Sequence, residues 1–72
     1  MIRYIPVQEN LHSENLGEYH SYGICALNDK NETVAFVSDV STDPKAAAHI
    51  AALCTVGQLD PEQLRDVVLN MI

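Results

Sequence analysis

The sequence predicts an α+β domain in which a three-stranded antiparallel sheet precedes two helices packed on one of its faces, in the order βββαα. Three observations carry this. Short apolar runs rich in β-branched and aromatic residues occupy the first half of the chain. A dense turn signal, Asn28-Asp29-Lys30-Asn31, separates two of those runs. Two Asp-Pro pairs, Asp43-Pro44 and Asp60-Pro61, each set a capping carboxylate before a proline at the first helical position.

The first strand runs from Ile2 to about Val7, and Pro6 directs it to a sheet edge because proline cannot donate to a ladder. The polar stretch Glu9–Gly17 is a loop or the far end of a long hairpin. A second strand follows over about Glu18–Leu27, and a third over Thr33–Val40, joined as a hairpin through Asn28–Asn31. Side chains alternate across a strand, so Tyr22, Ile24 and Ala26 face one way and Tyr19, Cys25 and Leu27 the other. The same rule puts Val34, Phe36 and Val40 on one side of the third strand, with Ala35 and Val37 on the other.

Asp43 caps a first helix whose core, Ala46–Cys54, has high intrinsic helix propensity, and Gly57 ends it. The second helix starts at Asp60-Pro61, with Gln63 placed for a capping box and Leu59 and Leu64 for a hydrophobic staple. Leu64, Val67, Val68 and Met71 then form its apolar stripe. Phe36, Ile24, Leu53, Leu64 and Val68 are the expected centre of the core, with Phe36→Ala costing on the order of 3 kcal/mol if that ring is fully buried.

Seventy-two residues with 47% hydrophobic content make one domain, residues 1–72, with no room for a second core. Ten acidic against four basic residues give a formal charge of −6, and Arg3, Lys30, Lys45 and Arg65 are scattered. Neutralising phosphates is the main source of nucleic-acid affinity, so this balance argues against nucleic acid and against an anionic membrane surface as partners. The opening residues lack a secretory signal and no run of apolar residues is long enough to span a bilayer, so the expected location is the cytoplasm. Cys25 and Cys54 lack C-x-x-C spacing and read as reduced, buried thiols.

No motif carries chemistry. Asp39-Val40-Ser41-Thr42-Asp43 imitates the opening of a calcium loop, but Pro44 stands where the loop needs glycine and Ile50 where a bidentate glutamate must close it. His12, His20 and His49 are not spaced with either cysteine as zinc ligands: His20 and Cys25 point to opposite strand faces, and His49 and Cys54 lie about 140° apart on their helix. Gly17, Gly23 and Gly57 stand alone, so no phosphate-binding loop exists. No catalytic, cofactor-binding or metal residue is assigned and no cofactor is expected.

The run Tyr22-Gly23-Ile24, then Asp39-Val40-Ser41-x-Asp43, a cysteine-containing helix, and Leu59-x-Pro61-x-x-Leu64-x-Asp66-Val67-Val68 resembles a family of short uncharacterised bacterial proteins known as a domain of unknown function. The likeness covers nearly the whole chain and implies no activity and no functional residue. Two helices cover one side of a three-stranded sheet, and the second side needs cover. The expected function is therefore a small protein–protein interaction or accessory module, a homodimer that buries the free face or pairs an edge strand, with a further protein partner open. The alternative is a small-ligand binder or minor enzyme using Cys54, His20 or Asp39 where sheet and helices meet.

Overall fold

The computed structural model describes residues 1–71. Strands β1 (Arg3–Ser13), β2 (Gly17–Leu27) and β3 (Thr33–Ser41) precede helix α1 (Pro44–Val56), a 3-10 turn (Pro61–Gln63) and helix α2 (Leu64–Met71). The sheet has the order β1-β2-β3 and both pairings are antiparallel.

β1 does not stop at Val7. It continues to Ser13 and pairs with β2 throughout, from Arg3 opposite Leu27 to Ser13 opposite Gly17. The polar stretch is thus the far end of a long hairpin, turned at Gly17 with φ of 71°. β3 pairs only with the near half of β2, so the distal part of the hairpin projects as a two-stranded arm. The molecule measures 39 × 24 × 20 Å.

The helices dock on one face. Ala47, Ile50, Ala51 and Cys54 of α1 and Leu64 and Val68 of α2 are buried against Tyr4, Ile24, Ala26 and Val40, with Val37 and Leu59 packed at the margin. The two alanines let α1 approach closely, so the buried stripe runs through small residues and leaves Leu53 on the outer side, 47% exposed. Leu53 is therefore not a core residue. Nor is Phe36, also 47% exposed. Ile24 pairs with Val37 and Cys25 with Phe36, so Phe36 projects away from the helices together with Cys25. Val40 nevertheless reaches the core because the strand bulges between Val37 and Ser41, spending four residues against two of β2.

Both helix starts form as capped segments. The Asp43 side chain accepts from Lys45 N at 2.9 Å and that of Asp60 from Glu62 N at 3.0 Å. Gln63 donates its backbone N–H to the Asp60 carbonyl at 2.9 Å, which makes a 3-10 turn in place of a capping box. Gly57 closes α1 with a right-handed φ of −76°, and the left-handed position falls on Gln58 at φ 50°.

The β1 edge is tied to α1. The Thr55 hydroxyl accepts from Tyr4 N at 2.9 Å and lies 3.3 Å from the Tyr4 carbonyl and 3.0 Å from that of Ala51. Tyr4 therefore turns its backbone groups outward, and Pro6, two residues on, places its missing N–H on the same free edge. The Tyr4 hydroxyl donates to the Leu59 carbonyl. Burial, with smaller contributions from Cys54 and Asp60, raises the Tyr4 phenol above its ordinary value of 10.0. The unfolded chain therefore ionises Tyr4 first, and this contribution to stability is complete below pH 10 and lost as pH climbs through the folded-state value. Urea unfolding across the alkaline range should show a steeper fall in the parent than in Tyr4→Phe; identical slopes would remove Tyr4 as the cause.

Candidate interaction surface

Across the face opposite the helices, Ile5, Cys25 and Phe36 stand in one cross-strand row. Val7 and Gly23 form the next row toward the arm, and Leu27 lies on the other side. The central strand contributes small side chains. Cys25, 7% exposed, and Gly23 sit low between the larger Ile5 and Phe36, which are themselves partly exposed. The Phe36 ring lies directly over Gly23: a Cβ there would stand 2.7 Å from Phe36 Cζ and 2.6 Å from the Val37 carbonyl oxygen. Among the described residues no helix covers this surface, because α1 and α2 both pack on the other face. Its composition is aliphatic and aromatic, the kind of patch that marks association in water-soluble domains.

A polar cluster borders the patch at the base of the arm. The Glu9 carboxylate accepts from Ser38 Oγ and from Asp39 N, both at 2.8 Å. Asp39 has φ of 53°, a left-handed conformation that the bulge requires and that an Asp side chain tolerates. Its carboxylate accepts from Ser21 Oγ at 2.5 Å and from Tyr19 Oη at 2.9 Å. Ser21 is fully buried and its hydroxyl also lies 3.1 Å from the Ser41 carbonyl. The hydrogen bond to Asp39, with smaller effects from burial and from the Asp39 and Glu9 charges, raises the Tyr19 phenol above its ordinary value. Every oxygen of both carboxylates thus holds a donor that stabilises the bulge, so the cluster locks β3 against the hairpin.

The residues considered for chemistry are spread over the molecule. Cys54 lies in the core on α1, and burial raises its thiol above the ordinary value, which lowers its nucleophilicity at neutral pH. His20 is exposed on the arm, with Nδ1 2.6 Å from Asn10 Oδ1. Asp39 is committed to Ser21 and Tyr19. Cys25 lies on the open face with its sulfur 3.5 Å from Thr33 Oγ1. Asp39 and Asp43, which begin the calcium-like run, serve the bulge and the α1 cap respectively. Among the described residues no group of three or more His, Cys, Asp or Glu side chains is placed to hold a metal ion. No helix among them is long and apolar enough to cross a membrane.

Sequence reasoning missed Glu9 and Ser21 as partners of Asp39, and Ser38 as a partner of Glu9, because the cluster joins three strands across sequence separations of 18 to 30 residues. It also missed the packing of Phe36 on Gly23. An isolated glycine inside a strand is the one signal that could have found it, since such a residue marks a close approach.

Comparison with family models, with curated proteins and with solved structures yields no match to this chain.

Proposed function

We propose that the protein is a small protein–protein interaction or accessory module that self-associates as a homodimer through the open face of its sheet. The observation carrying this reading is the cross-strand row Ile5–Cys25–Phe36, an apolar surface opposite both helices with the Phe36 ring 47% exposed. Burying such a row against a second copy removes apolar area from water on both partners at once, and an isologous contact needs only one self-complementary patch. A small domain gains more from this than a large one, because it buries a smaller share of its own surface on folding.

Light scattering and sedimentation equilibrium through the micromolar range test the proposal. The parent should show twice the chain mass at high concentration. Phe36→Glu places a charge in the middle of the proposed contact and should shift the protein to monomer while its far-ultraviolet circular dichroism stays that of the parent. A parent that stays monomeric at high micromolar concentration, or a Phe36→Glu variant that dimerises as the parent does, would sink the proposal.

A further inference from the structure

The sheet has a second unsatisfied feature, the free edge of β3. Because Tyr4 turns its backbone groups away from β2, the alternation of an antiparallel ladder gives Ile5 and Cys25 the bonds between β1 and β2. Ile24 and Ala26 then bond to Val37 and Ala35. Phe36, between them, is left with its N–H and C=O pointing outward. The opposite edge offers no such opening beside the core, since Thr55 occupies the Tyr4 groups and Pro6 has no N–H to give.

A groove of about 260 Å³ runs along this β3 edge, lined by Phe36, Val37 and Ser38 on one side and by Arg65 and Leu69 of α2 on the other. Arg65 and Leu69 are four residues apart and so stand together on one helix face. Arg65 makes no hydrogen bond or ion pair among the described residues, although the chain carries a formal charge of −6. Arg3, by contrast, bonds to Asn31.

We propose that this groove binds an extended acidic peptide, which adds to β3 as a short antiparallel fourth strand. The peptide exchanges a pair of backbone hydrogen bonds with Phe36, sets an apolar side chain against Val37 and Leu69, and places a carboxylate on the Arg65 guanidinium. This is strand addition between a sheet edge and a helix, in which the backbone bonds supply affinity and the groove supplies selectivity. The charge of the groove sets the partner: an arginine fork matches a carboxylate in a bidentate pair. Register shifts on both sides, at Ala26/Leu27 and at Tyr22/Ile24, leave only the stretch around Ala35–Val37 in regular pairing, so the added strand is short. The inference does not rest on the dimer: the two readings share Phe36, but the dimer uses its ring on the open face and the peptide its backbone at the edge, with Arg65 and Leu69 of α2 behind the sheet.

The test titrates the isotopically labelled protein with a pool of acetylated and amidated hexapeptides of alternating valine and threonine that carry one glutamate, and follows amide resonances. Shifts should concentrate at Val34–Ser38 and at Arg65–Leu69. Arg65→Glu, a surface change, should weaken binding of the best peptide by about tenfold and favour its lysine-for-glutamate counterpart. N-methylation of the peptide amide that faces Phe36 should abolish binding. The proposal is overturned if no member of the pool shifts those resonances, if Arg65→Glu leaves affinity unchanged, or if the Phe36 amide is already protected from exchange without peptide because a second copy occupies the edge. Dimerisation measured on the same samples reports on the open face separately.

Discussion

Replacing Ile24 by alanine should cost about 2–5 kcal/mol, enough to leave much of the protein unfolded at room temperature. Ile24 is fully buried on the central strand, where it meets the core formed by both helices. Truncation removes three carbons from a site enclosed on every side, and the surrounding backbone of a central strand cannot collapse to fill the gap. A domain of 72 residues holds about 4–11 kcal/mol of net stability in total, so this one side chain accounts for a large share of it. Urea unfolding followed by circular dichroism gives the comparison. Ile24→Val should cost only about 0.5–1.5 kcal/mol. Phe36→Ala, although it deletes a larger side chain, should cost the monomer less than Ile24→Ala, because nearly half of that ring is exposed. A Phe36→Ala loss equal to or greater than that of Ile24→Ala would mean that the helices cover the other face.

Gly23→Ala should destabilise by about 1–3 kcal/mol, the range for forcing one carbon into a filled site. The added Cβ would meet the Val37 carbonyl oxygen at 2.6 Å and two Phe36 ring carbons at 2.7 and 2.9 Å. The ring can rotate away. The carbonyl belongs to the β2–β3 ladder and can move only if the strands separate. Phe36→Ala in the Gly23→Ala background should therefore recover the ring's part of the loss and no more, with a coupling energy of about 0.5–3 kcal/mol in the double-mutant cycle. Melting temperatures of the four proteins measure it. Strict additivity would show that the ring does not rest on Gly23. Because displacement of Phe36 also disturbs the open face, Gly23→Ala should weaken the proposed self-association as well.

The bulge in β3 separates the legible from the hidden. Asp43-Pro44, Asp60-Pro61 and Asn28–Asn31 act within a few residues of themselves: carboxylates and an amide satisfy nearby backbone donors, as the bonds to Lys45, Glu62, Lys30 and Glu32 show. Such signals survive in a linear reading because their partners are sequence neighbours. On the β2 side the arm is legible as strand from about Glu18, whereas its β1 side stays open between a loop and the far end of a long hairpin, for the opposite reason. Gln8–Ser13 has polar residues on both faces, so no alternation marks a strand there, and its pairing comes from the hairpin register.

Strand order, hairpin connections and helix limits were thus decided locally by turn residues, caps and apolar periodicity. The sequence alone also required that one side of a three-stranded sheet stay without helices. Which side it is came from register: pairing Ile24 with Val37 sends Phe36 to the open face, and the bulge returns Val40 to the core. The open apolar face, the carboxylate cluster at the bulge and the groove beside Arg65 depend on residues brought together from separate strands and helices. Each is set by the free energy of packing the whole chain, since a strand shifted by one residue would exchange its buried and exposed faces at no cost to local propensity.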